Sequence, residues 1–147
     1  MLTPAFIFFL HDVKLKSDVV EEEVLSREYE VYTSLRTIEE VSYVLIRVKA
    51  AKLFDVKRIH GVKEVVKYHG LDFVKEELER LQGVIKDYDI RVLYDRATIE
   101  ELHEVMKRYR LLPGVALIAL TCKHYGIVRI LTFDGDFRKV PWLRVIP

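Results

Sequence analysis

Leu111-Leu112-Pro113-Gly114-Val115-Ala116-Leu117-Ile118-Ala119-Leu120-Thr121-Cys122-Lys123-His124-Tyr125-Gly126-Ile127-Val128-Arg129-Ile130-Leu131-Thr132-Phe133-Asp134-Gly135-Asp136 spells a helix, a strand and an acidic turn in that order. Pro113 opens the helix, because a missing N–H costs nothing in a first turn. Gly126 closes it, at the position where a left-handed residue ends a helix. Between them residues 115–125 are apolar on most sides, which predicts a buried helix. Residues 127–133 follow as a strand with Ile127, Val128, Ile130 and Leu131. The strand runs straight into Asp134-Gly135-Asp136.

Working outward, residues 90–94 (Ile-Arg-Val-Leu-Tyr) read as a second strand. Asp95 is then expected to cap the helix that carries Ile99, Leu102, Val105 and Met106. Residues 28–34 read as an earlier strand, and Ser34 or Thr37 caps the helix after it. Thr37 and Glu40 have capping-box spacing. Ile38, Val41, Val44, Leu45 and Val48 fall on one helical face, which predicts that the face is buried. Helical patterns continue over residues 62–68 and 71–86, with Gly61, Gly70 and Gly83 as breaks. Residues 142–146 are expected to form an edge strand. Strands that alternate with helices predict an α/β fold, a parallel sheet covered on both faces. No repeat, linker or low-complexity segment divides the chain, so residues 1–147 are expected to form one domain.

Composition narrows the setting. Half of the 147 residues are apolar and 32% are charged, which excludes disordered and fibrous classes. The one cysteine, Cys122, has no partner for an internal disulfide and points to a reducing, cytoplasmic setting. It has no His or Asn constellation and reads as a core residue. The apolar run at residues 5–10 is too short for a bilayer, which needs about twenty such residues. No signal-peptide pattern frames it, and no membrane role is expected. Asn is absent and Gln82 is the sole Gln, among many Lys, Arg and Glu, a composition expected of a heat-adapted protein. The net charge of +1 conceals an asymmetry: residues 105–147 hold eight basic and two acidic groups. Lys107, Arg108, Arg110, Arg138, Lys139 and Arg144 are therefore candidate contacts for RNA phosphates. A solvated basic face explains them equally well.

In parallel sheets a ligand site lies beyond the carboxyl ends of the strands. Glu40 follows the strand at residues 28–34, and Asp134 and Asp136 follow the strand at residues 127–133. Such carboxylates, brought to one sheet edge, suit Mg²⁺ or Mn²⁺, hard cations that prefer oxygen. Two such ions position a water and stabilise charge on phosphate during hydrolysis. Each acid also has a plainer role: a carboxylate at a helix start complements the dipole, and Asp-Gly-Asp is ordinary turn chemistry. The five His residues lack zinc-like spacing with a second ligand, and no Gly-rich phosphate loop is present.

Residues 111–119, 123–127 and 130–137 closely resemble the C-terminal half of archaeal PIN domains. Residues 33–45, Thr-Ser-Leu-Arg-Thr-Ile-Glu-Glu-Val-Ser-Tyr-Val-Leu, resemble the family's second motif, with Glu40 at its acidic position. The resemblance implies a PIN-like three-layer α/β/α fold similar to that of VapC toxins. Active members are Mg²⁺- or Mn²⁺-dependent endoribonucleases, often homodimers, and the toxins among them pair with a small antitoxin protein. Asp134 then matches the acid after the last core strand, Thr132 its hydroxyl residue and Asp136 a frequent additional acid. Glu40, Asp134, Asp136 and Thr132 are thus the expected catalytic residues, and Glu40, Asp134, Asp136 and Asp12 the expected metal ligands.

The departures from that pattern bear on activity. Val115 stands where the family places Asp in the helix-opening motif, and Val neither binds a metal nor orients a water. The acid that ends the first strand has two registers. If residues 3–7 match the family motif, the acidic position falls at Leu2 or Thr3 and is lost, and almost no residues remain for a central first strand. If residues 5–10 are that strand, Asp12 stands in for the acid. Beside a structural or dimer-forming relative with no nucleic-acid role, two readings of function follow. One is a family member with an incomplete acidic site, weak or lost nuclease activity and an RNA- or partner-binding role. The other is an active endoribonuclease that uses the remaining carboxylates.

Overall fold

The computed structural model describes Met1, residues 29–56 and residues 58–146. In chain order these form β1 (Tyr32–Ser34), α1 (Leu35–Phe54), α2 (Ile59–His69), a 3₁₀ turn (Asp72–Val74), α3 (Lys75–Asp87), β2 (Arg91–Leu93), α4 (Ile99–Tyr109), α5 (Pro113–His124), β3 (Arg129–Leu131), a second 3₁₀ turn (Gly135–Lys139) and β4 (Arg144–Ile146). β1 pairs with β2 and β3 with β4, both in parallel, with Thr33 across from Val92 and Ile130 across from Val145. This is the expected α/β fold, with strands shorter than the sequence suggests. Met1 joins the second pair. Its amino group donates to the Arg129 carbonyl at 2.8 Å, and its carbonyl accepts from the Leu131 N–H at 2.9 Å. Those two bonds bracket Ile130, the pattern of a parallel ladder. The expectations for the strand at residues 5–10 and for Asp12 fall outside the described residues.

Two apolar clusters cover the sheet. Val41 and Leu45 of α1 pack with Val74, Leu81, Ile90 and Leu131. On the other side Ile118 and Leu120 of α5 pack with Val105, Ile130, Phe137 and Val140. The predicted stripe of α1 is only partly inside. Val41 and Leu45 are buried and Ile38 and Val44 half-buried, but Val48 is 50% exposed, and Ala50 is buried in its stead against Val62 and Val65. The contact passes there from the sheet to α2, which lies on a different face of the helix. By contrast α5 is buried nearly all round through Ala116, Ile118, Ala119, Leu120, Thr121 and Cys122, as its composition predicts. Burial pushes the Cys122 thiol up to about 11, so it is protonated at neutral pH, as suits a core residue.

The structure settles three punctuation signals. Ser34, not Thr37, caps α1: its Oγ accepts from the Thr37 N–H at 3.1 Å. Thr98, not Asp95, caps α4, in a reciprocal box with Glu101. Gly70 does end α2, with φ +66, but Gly61 and Gly83 lie inside helices. An interior Gly in a helix costs about 1 kcal/mol relative to Ala, so these two positions allow a paired prediction. A Cβ at Gly83 meets nothing within 4 Å, whereas one at Gly61 would lie 2.5 Å from Val56 Cγ1. Thermal melts should show Gly83→Ala stabilised by about 1 kcal/mol, or about 2–4 °C. Gly61→Ala should be destabilised by about 1–2 kcal/mol, because overpacking against a stiff Val exceeds the helix gain.

Candidate active site

The carboxyl end of β1 runs directly into α1, so Ser34, Arg36 and Glu40 are set by one short stretch of chain. Ser34 Oγ lies 3.1 Å from Thr37 Oγ1, and Ser34 and Thr37 are fully buried, so the first turn is fixed by polar contacts inside the protein. Glu40 emerges one turn later and is partly exposed. Its Oε2 lies 3.9 Å from Arg36 Nη2, and Arg36 also pairs with Glu39.

Facing them is the start of α5. Pro113 and Gly114 begin that helix, and no side chain caps it. A Cβ at Gly114 would lie 3.4 Å from Arg36 Nη2 and 3.8 Å from Glu40 Oε2. The amino end of α5 and the Glu40 carboxylate are therefore neighbours, a favourable arrangement for a carboxylate near a helix dipole. Val115 sits in this first turn, half-buried, as the helix-opening reading requires.

Beyond β3, Thr132 is buried, and its Oγ1 accepts from the Asp134 N–H at 3.0 Å. Asp134 Oδ1 in turn accepts from the Asp136 N–H at 2.9 Å, capping the Gly135–Lys139 turn. Asp136 Oδ1 accepts from Lys139 Nζ at 2.6 Å. Phe137, 2% exposed, anchors this turn in the core. The acidic turn is thus held by its own hydrogen bonds, and one of its two acids is already paired with a cation.

Sequence reasoning missed two contributors. Asp95 follows β2 and is bound to α1: its Oδ2 accepts from the Arg36 N–H at 2.8 Å. Its Oδ1 is buried and, among the described residues, has no hydrogen-bond partner. The strand-end rule applied to β2 would have singled it out, but the nearby α4 made a local cap the simpler expectation. Arg36 carried no motif signal, since its partners lie three and four residues on and in another element.

Among the described residues, no three of His, Cys, Asp and Glu lie close enough to hold a metal ion together. Arg36 stands against Glu40, Lys139 against Asp136, and Val115 supplies no donor. Among the described residues, then, few carboxylate oxygens are gathered to face a Mg²⁺ or Mn²⁺ ion, which prefers oxygen ligands. Of the basic residues, Arg110 ends α4 just ahead of the α5 start, and Arg138 and Lys139 lie on the acidic turn. Arg144 is different: it pairs with Arg129 at the opposite, amino-terminal end of the strands.

Parallel strand pairs flanked by helices, with acids after β1 and β3, define an α/β protein of the PIN type, and the chain belongs to that family. The PIN domain model matches residues 5–143. Among curated proteins, the chain is similar to "Ribonuclease VapC2" of Methanocaldococcus jannaschii, 33% identical over 134 residues, covering 90% of this chain and 83% of that protein. It is also similar to "Ribonuclease VapC6" of the same organism, 35% identical over 91 residues, covering 60% of each chain. No helix among the described residues is long and apolar enough to cross a membrane.

Proposed function

We propose that this chain is a VapC-like PIN protein with an incomplete acidic site, in which metal-dependent RNA cleavage is weak or lost and RNA or partner binding is retained. The observation that carries this reading is Val115 in the first turn of α5, where the family pattern places an acid, one residue after the Gly114 that lies against Glu40. Arg36 and Lys139, each paired with a remaining carboxylate, support it. The ladder position of Met1 supports the register in which the first acidic position falls at Leu2 or Thr3. Arg110, Arg138 and Lys139 supply the phosphate contacts, close to the acidic turn and the α5 start. The protein is heat-adapted and homodimeric, with a small antitoxin as a further partner.

A salt titration of binding to single-stranded RNA tests this. With these three phosphate contacts, log K should fall against log salt with a slope of about −2, and replacing Arg110 and Arg138 by Ala should flatten it by about 1.4. Binding that is insensitive to salt would refute the nucleic-acid role. A second reading, an active Mg²⁺/Mn²⁺ endoribonuclease of a toxin–antitoxin pair, is favoured by the ribonuclease names of both relatives. Cleavage of the same RNA on adding Mn²⁺, abolished by Asp134→Asn, would establish it.

A further inference from the structure

Where β1 and β2 end, α1 begins at Leu35 and the linker to α4 at Tyr94. In the ladder Ser34 faces Leu93, and counting two steps on brings Arg36 opposite Asp95. Both strands stop short of this step, and the Asp95 side chain carries the register on: its Oδ2 accepts from the Arg36 N–H at 2.8 Å. That N–H is one of the first-turn donors that a helix cannot satisfy within itself. Ser34 satisfies the next one, at Thr37, from its own segment. Asp95 does so from another element, with a charge-assisted bond that the helix dipole favours.

The residues after Asp95 are tied as well. The Arg96 N–H donates to Thr121 Oγ1 of α5 at 3.1 Å, and that hydroxyl donates to the Leu117 carbonyl at 2.8 Å. Thr121 is fully buried, where low polarity strengthens such bonds. Ala97 packs in the cluster around α5, and Thr98 caps α4. A strand and a helix can be joined without such bonds. Here they fix α1 against α5, the two helices that meet where Arg36 and Glu40 lie against Gly114. The same linker opens α4, whose far end carries Arg110.

We infer that Asp95 is a positioning residue for the candidate site: with the Arg96 N–H on Thr121 it makes the β2–α4 linker a clasp that holds Arg36 and Glu40 of α1 against the start of α5. Hydrogen exchange tests the clasp directly. Asp95→Ala should speed exchange of the Arg36 amide by about tenfold more than exchange in the middle of α3, the effect of losing one charge-assisted bond. Asp95→Asn keeps an acceptor oxygen for that N–H. Its amide nitrogen replaces Oδ1, which accepts no hydrogen bond from the described residues. Arg36 exchange should then stay within about threefold of wild type. Thr121→Val removes the other half of the clasp, at a residue that bonds Arg96 rather than Arg36. It should speed Arg36 exchange too, whereas Thr121→Ser keeps the hydroxyl and the wild-type rate. Affinity for single-stranded RNA separates position from charge. Removing an acid should by charge alone tighten binding of a polyanion. The clasp has the opposite sign: Asp95→Ala weakens binding by about threefold, because phosphate contacts on separate elements lose their preorganisation, and Asp95→Asn binds at least as well as wild type. This arm alone rests on the RNA reading. A wild type without RNA affinity refutes that reading, and the exchange rates still decide the clasp. Arg36 exchange that is equal in Asp95→Ala and Asp95→Asn, or unmoved by Thr121→Val, would overturn the proposal, as would equal gains in RNA affinity from both Asp95 variants.

Discussion

Val115→Asp should create metal-dependent stability that the wild type lacks. In the wild type, saturating Mn²⁺ is expected to move the melting temperature by less than about 1 °C, because among the described residues no three acids lie close enough to hold the ion in the folded chain. The substitution places a carboxylate in the first turn of α5, one residue after the Gly114 that lies against Glu40. Without metal the new carboxylate repels Glu40, which raises a carboxyl pKa at the site. Its place at a helix start offsets this by about 0.3–1 kcal/mol. The half-buried setting should still make the mutant less stable than wild type in the absence of metal, by about 1–2 kcal/mol. Mn²⁺ at a hundred times its Kd then restores about 2.7 kcal/mol, roughly 5–10 °C for a chain of this length. Two pairs of melting curves check this. A wild type that shifts strongly with Mn²⁺ and cleaves RNA would establish the active-nuclease reading instead. A mutant without a metal-dependent shift would place Val115 away from the acids.

Phe137→Ala should be the most damaging single truncation near the acidic turn. Phe137 is 2% exposed and packs with the cluster that includes Ile118, Ile130 and Val140, whereas Phe133, four residues earlier, is 58% exposed. Removing a buried aromatic ring costs the transfer free energy and leaves a cavity, together about 3–5 kcal/mol. The melting temperature should fall by about 6–20 °C, and by a few degrees at most for Phe133→Ala. Because Phe137 holds the turn that carries Asp134 and Asp136, Phe137→Ala should also speed hydrogen exchange at the Asp136 amide, whose N–H is donated to Asp134. Equal losses from the two Phe substitutions would mean that the turn is not anchored as described.

The difference between those two Phe residues was not legible in the sequence. Both sit beside an Asp in the same short segment, and local pattern does not tell a mostly exposed ring from one buried in the core. Asp95 is a similar case. Its position just ahead of a helix made a local cap the economical expectation, but Thr98 has the reciprocal partner in Glu101, and that left Asp95 to bind the Arg36 N–H across 59 positions. Val48 shows the limit of periodicity. Spacing marks which residues share a face but not where along the helix the neighbour changes, and past Leu45 the neighbour of α1 is α2.

What the sequence determined by itself was local and repetitive: the order of strands and helices, Pro113 and Gly126 around a helix apolar on most sides, and Glu40, Asp134 and Val115 at element ends. Each of these follows from a residue's own backbone preference or from a period of two or 3.6. The tertiary structure alone decided which long-range partners those residues meet: Arg36 between Glu40 and the α5 start, Asp95 on α1, and Met1 on the ladder beside Ile130. Such pairings join elements tens of residues apart, and packing selects among many local alternatives of nearly equal free energy. A single chain's spacing carries no record of that choice.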